Sequence, residues 1–182
     1  HFDHSGGQLT DWCGHHPDIA MWGMGTVNTG PVEIRDPKVE YAKHPVYNTA
    51  SSYAFDCLFA NGMTLRIGSS EKGGVTFEGT EGWVFVSRGN DTVTSSDPVA
   101  KLKDAQALSA SDPKIITSVI GPDEIHLYES REHHGNWLEC IRSRKETIAP
   151  AEVAHRSCSA CLLHHAAMKT KRASERRRPS LS

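Results

Sequence analysis

The chain has 182 residues, 37% hydrophobic and 23% charged, an ordinary globular composition that excludes a disordered or collagen-like chain. Its 20 basic and 22 acidic residues give a net charge of -2, so the fold as a whole offers no electrostatic footprint for nucleic acid or an anionic membrane. No apolar run is long enough to span a bilayer, and five cysteines without framework spacing argue for reduced thiols.

The chain opens at His1 without a charged or apolar leader, which reads as a piece of something longer. Leu9, Trp12, His16, Ile19 and Ala20 recur at three- and four-residue steps, which predicts one amphipathic helix ending near Gly23 and Gly25. Residues 26–50 hold Pro31, Pro37, Pro45 and Asn48 around a short strand-like piece at Val32–Ile34, and read as a long ordered loop. Tyr53, Phe55, Cys57 and Phe59 then alternate with Ala54, Asp56, Leu58 and Ala60, and Asn61-Gly62 turns the chain into Thr64–Ile67 as a hairpin. Gly73-Gly74 precedes Val75–Glu78, and Thr80-Glu81-Gly82 leads into Trp83–Val86. Four strands in succession predict an antiparallel meander with helices on one face. The large side chains Tyr53, Phe55, Phe59, Phe77, Trp83 and Phe85 exceed what one helical layer covers, so the far sheet face is expected to contact a second subunit.

Ser96-Asp97-Pro98 predicts a cap and a short helix to about Leu108. Residues 109–128 carry no single pattern. A helix from about Arg131 would place Trp137, Leu138 and Ile141 on an apolar face, and Pro150-Ala151-Glu152 opens a last helix through Met168. The expected fold class is α+β: an open, largely antiparallel mixed sheet with helices packed on one face. One domain spans 1–168, followed by a basic, solvated tail over 169–182.

Asp11, His15, Asp18 and Trp22 follow steps of four, three and four, which on a single helix keeps them within roughly 60° of one another. An imidazole between two carboxylates is equipped to move a proton to or from a hydroxyl. The plain alternative is a polar helix face that caps neighbouring loops. His155, Cys158, Cys161 and His164 have zinc-ligand chemistry, but steps of three drift by about 60° each and put the two histidines on opposite sides. Buried thiols on a core helix are expected there, and no metal. His133-His134 at a helix entrance are candidate ligands or bases, or exposed packing residues. Gly23, Gly25 and Gly30 have the wrong spacing for a dinucleotide turn, and Gly74 stands where a phosphate loop needs lysine.

The run Ser5-Gly-Gly-Gln-Leu-Thr-Asp-Trp-Cys-Gly-His-His-Pro-Asp-Ile-Ala-Met-Trp22 resembles the Asp-x-x-x-His helix of the glucose-fructose oxidoreductase, inositol dehydrogenase and MocA family, in its bacterial branch. The resemblance continues through Gly30-Pro31-Val32-Glu33, Tyr47-Asn48-Thr49, Phe77-Glu78-Gly79-Thr80-Glu81-Gly82-Trp83, Asn136-Trp137-Leu138-Glu139-Cys140-Ile141 and His155-Arg156-Ser157, and covers about residues 5–168. It implies an enzyme of two domains. A Rossmann domain, absent from this chain, would hold NAD or NADP, and the α/β domain present here would bind substrate and form homo-oligomers.

By that resemblance His15 exchanges a proton with a sugar or polyol hydroxyl and Asp11 orients substrate or histidine. His16, Asp18, Tyr47 and Asn48 are expected to bind substrate. No cofactor-binding residue is expected in this chain, which alone would be inactive, and a cytoplasmic location is expected. The alternative function is a non-catalytic structural or interaction domain retained without the Rossmann half. A third reading is a metal-dependent enzyme using the abundant histidines.

Overall fold

The computed structural model describes residues 1–71, 73–87, 107–170 and 174–175. The helix expected after Ser96 lies outside them, except that Leu108 begins a strand instead. The first expected helix is two: α1 (Gln8–Cys13) and α2 (His16–Gly23). Gly14 caps α1, and His15 takes a non-helical backbone (φ -122°, ψ -86°). Pro17 supplies the reason. A proline has no N–H and clashes with the preceding turn, so it is tolerated only where a helix starts, and a new helix starts here.

Much of the expected loop before residue 50 is instead a nine-residue strand, β1 (Glu33–Tyr41). It accommodates Pro37 by a register shift between Arg35 and Lys38, with Asp36 at φ 49°. β1 pairs antiparallel with β2 (Ala50–Leu58), setting Ile34 opposite Cys57 and Val39 opposite Tyr53. The hairpin expected at Asn61-Gly62 is present: β2 pairs with β3 (Thr64–Gly68), and the Phe59 N–H donates to the Met63 carbonyl at 2.9 Å.

The α+β class expected from the sequence is what the structure shows, but the strands divide between two antiparallel sheets. The first has the order β3-β2-β1-β7, where β7 is Ser174–Glu175. The second has the order β4 (Val75–Gly79), β5 (Gly82–Val86), β6 (Leu108–Ala110). Three helices follow β6 in sequence: α3 (Pro113–Thr117), α4 (His133–Ser143) and α5 (Ala151–Thr170). None of the helices among the described residues is long and apolar enough to cross a membrane.

The core lies between the first sheet and the helices α1, α2 and α5, and is built from Leu9, Met21, Ile34, Phe55, Cys57, Phe59, Ala160, Cys161 and Met168. Strand alternation points Tyr53, Phe55, Cys57 and Phe59 inward. The opposite face is charged: Arg35 and Arg66 stand on either side of Asp56, with Arg66 Nε 3.1 Å from its carboxylate and Arg35 held 2.7 Å from Glu33. Of the six large aromatic side chains, Tyr53, Phe55 and Phe59 are thus covered by helices, whereas Trp83 on β5 is 41% exposed.

α4 inverts its expected polarity. Trp137 (57% exposed), Leu138 and Ile141 face water, whereas Asn136 and Cys140 are buried. Asn136 tolerates burial because Nδ2 donates to the Tyr128 hydroxyl (2.6 Å) and Oδ1 accepts from the Ile148 N–H (3.1 Å). The cysteines also depart from expectation: Cys57, Cys140 and Cys158 are free thiols, but Cys161 is disulfide-bonded.

Candidate functional site

The predicted acid/base lies at the break between α1 and α2. The Gly14 N–H donates to the Asp11 carbonyl (3.3 Å) and the His15 N–H to the Trp12 carbonyl (3.1 Å), closing the first helix. The His15 carbonyl accepts from the Ile19 N–H (3.0 Å), opening the second. His15 and Asp11 are exposed, while His16 and Asp18 are half-buried. The Trp12 ring sits between the imidazoles, its centroid 5.6 Å from that of His15 and 4.7 Å from that of His16.

Because the helix is broken, the shared face argued from 100° steps does not exist. Among the described residues no hydrogen bond or ion pair joins the side chains of Asp11 and His15; the two are linked as members of one tight turn. Tyr47 and Asn48 lie elsewhere, in the loop from β1 to β2 that the Ala42 N–H closes on the Thr49 carbonyl (3.0 Å). Asn48 Oδ1 accepts from the Phe2 N–H (2.7 Å), and its amide nitrogen meets His1 Nε2 at 3.2 Å. The exposed Tyr47 ring packs on His44, centroids 5.2 Å apart. This loop meets the N-terminal end of α1, where Gly7 packs on Thr49. Six helical residues span about 9 Å, so Asn48 and His15 attend opposite ends of α1. The expected single cluster is thus two: Asp11, His15 and His16 beside Trp12, and Tyr47 with Asn48 beside the N-terminal segment.

The described residues do not fit a dinucleotide. Such a cradle is a strand-turn-helix in a parallel unit, whose helix N-terminus holds the pyrophosphate. Here every described strand pair is antiparallel, α2 follows a helix, and the Phe77 ring fills the place a side chain on Gly23 would take. Nor does any group of three or more metal-ligating side chains converge among the described residues. His155 and Cys158 face water while Cys161 and His164 face the core. His133 and His134, both exposed, line a shallow concavity of about 320 Å³ with Ser130, Arg131, Glu132 and Ile148. There the Glu132 carboxylate caps α4 by accepting from the His134 N–H (3.0 Å) and the Gly135 N–H.

Sequence reasoning missed the two buried histidines of α5 as a pair. His164 is fully buried and its pKa is pushed down to about 3 by burial, against the hydrogen bond to the Ala160 carbonyl. His165 is 7% exposed and completes no hydrogen bond at either ring nitrogen. The signal was the stripe Ser157, Ala160, Cys161, His164 and Met168, whose spacing follows one helical face. Compared with family models, curated proteins and solved structures, the chain matches none.

Proposed function

We propose that the chain is the substrate-binding and oligomerisation domain of an NAD(P)-dependent oxidoreductase acting on a sugar or polyol hydroxyl, of the glucose-fructose oxidoreductase, inositol dehydrogenase and MocA type. The observation that carries it is the exposed His15 imidazole at the helix break, in one turn with Asp11 and against the Trp12 ring. An imidazole can accept a hydroxyl proton and return it, the role the resemblance gives His15. An indole beside two imidazoles supplies the apolar surface and convergent polar groups that hold a polyol. The nicotinamide comes from a separate Rossmann domain in this reading, since the residues described here do not cradle one. A cytoplasmic location belongs to the same reading, although the Cys161 disulfide is chemistry typical of an oxidising compartment.

Two measurements test it. The chain alone should show no micromolar binding of NADH or NADPH by calorimetry. In a protein carrying the Rossmann domain, His15→Ala should lower kcat by roughly 10²- to 10⁴-fold with coenzyme affinity unchanged, and His16→Ala should lower it far less. Equal losses for the two substitutions, or near-full turnover of His15→Ala, would overturn the assignment.

A second reading, a non-catalytic interaction domain, is favoured by the exposure of Trp137, Leu138 and Ile141 on α4. It predicts no turnover of polyols even with the coenzyme domain present.

A further inference from the structure

The first seven residues form a strap laid over α5. Phe2 is its anchor: the ring meets His165 edge to face at 5.0 Å, Lys169 Nζ lies 3.7 Å from its centroid, and its N–H donates to Asn48. Farther along, Gly6 backs directly onto the imidazole; a Cβ there would come within 2.7 Å of His165 Nε2. Gly7 then caps α1, the helix that carries Asp11 and leads to His15. His165 is thus a nearly buried imidazole set beside the Gly6 backbone, under a strap that Phe2 pins to α5 and to Asn48.

We propose that Phe2–Gly7 is an acid-released latch: neutral His165 holds it against α5, and protonated His165 drives it off, freeing the entrance to α1. An imidazolium in that position would have, among the described residues, only the Gly6 backbone as an acceptor, leaving one N–H without a partner, and would sit near the Lys169 ammonium, a buried charge only partly compensated. Lifting the strap gives the ring back to water without disturbing the sheet.

The charged and titratable groups around His165 are Lys169 and His164 on α5, and His1, Asp3 and His4 within the strap. Gly6 is neutral, and Asp11, the one charged residue of α1, is exposed. Burial, reinforced by Lys169 and opposed by the Gly6 backbone, holds the docked His165 below the ordinary 6.5. The released form therefore binds a proton that the docked form does not. Docking is insensitive to pH well above 6.5 and weakens as the pH falls below it.

Hydrogen exchange of the full chain between pH 7.5 and 5.5, corrected for the intrinsic pH dependence of exchange, reads the latch directly. Amides of residues 3–10 should be less protected than those of Tyr53–Cys57 throughout and lose protection by up to about fivefold from pH 6.5 to 5.5, and His165→Leu should abolish this step while leaving the acid response of Tyr53–Cys57 in place. A flat wild-type profile overturns the proposal, as does a step that survives in His165→Leu, which would belong to His1 or His4. Strap amides that are as well protected as Tyr53–Cys57 and exchange only with them also overturn it, because the event would then be global. Should His165→Leu fail to fold, Phe2→Ala decides: it should expose the strap already at pH 7.5, and a strap still protected in that variant overturns the latch.

Discussion

The Cys57 thiol and the His164 imidazole face each other across the seam between β2 and α5, Sγ 3.8 Å from Nε2, with water reaching neither side chain. His164 Nδ1 donates to the Ala160 carbonyl at 2.7 Å, which leaves Nε2 as the acceptor and the thiol as the donor. A catalytic thiolate–imidazolium pair needs a lowered thiol pKa and access to substrate. Here burial pushes the thiol up to about 12 and the imidazole down to about 3. The pair is a neutral hydrogen bond that satisfies two buried polar groups.

Acid should therefore destabilise the whole fold through His164. The folded chain keeps the ring neutral down to about pH 3, whereas the unfolded chain protonates it near the ordinary 6.5. Below 6.5 the unfolded state binds the extra proton, so stability falls by up to about 1.4 kcal/mol per pH unit toward pH 3 and is flat above 6.5. Urea unfolding at pH 7, 5 and 4 should show this slope, and His164→Leu should lose most of it. A variant with the wild-type slope would place the acid limb on other groups.

The thiols should separate sharply by reactivity. Cys158 is exposed on α5 and should react with an aromatic disulfide reagent in the native protein. Cys57, fully buried and held as the thiol, should react only at the rate of unfolding. Mass-spectrometric labelling without denaturant that modifies both at comparable rates would contradict the packing of β2 against α5.

On α4, two neighbouring substitutions should differ in the reverse of their usual order. Asn136→Ala removes the acceptor of the Ile148 N–H and leaves the Tyr128 hydroxyl only its contact with the Cys140 thiol, and should cost about 1–3 kcal/mol. Trp137→Ala removes a side chain that is mostly in water and should stay within about 0.5 kcal/mol. Denaturation midpoints of the two variants check this, and a large loss for Trp137→Ala would show that its face is covered in solution.

Gly7 couples backbone conformation to the candidate site. Its φ of 69° lies in the left-handed region, and a Cβ would strike the Thr49 side chain. Gly7→Ala should cost more than about 1 kcal/mol of stability and loosen α1, visible as faster exchange of the Leu9–Trp12 amides. Undiminished protection there would mean that another residue sets the start of α1.

How much of this was legible depends on whether the deciding interaction is local. The β2–β3 hairpin was, because alternation plus Asn61-Gly62 specifies both strands and their turn. The last helix was, because the start at Pro150-Ala151-Glu152 and the residues that continue it are written consecutively. The break at Gly14-His15 was available in principle from Pro17 and was outweighed by apolar spacing that runs through it. β1 was hidden because a proline counts against a strand unless a bulge absorbs it, and the bulge is a property of the pairing with β2. The division into two sheets and the outward face of α4 follow from contacts distant in sequence. At the candidate site, residue types were readable, but their grouping around Trp12 followed from the helix break.

Among the described residues, the outer edge of β1 is paired only at Glu33 and Ile34, through β7. Beyond that point a stray strand from another chain would look for a regular row of donors and acceptors to zip against. It would meet Pro37, which has no N–H to give, a bulge that spoils the spacing on either side, and the exposed charge of Lys38. The irregularity that disguised β1 in the sequence thus works as a blunted border, and it turns a potential seed for fibrous growth into a place where accretion stops.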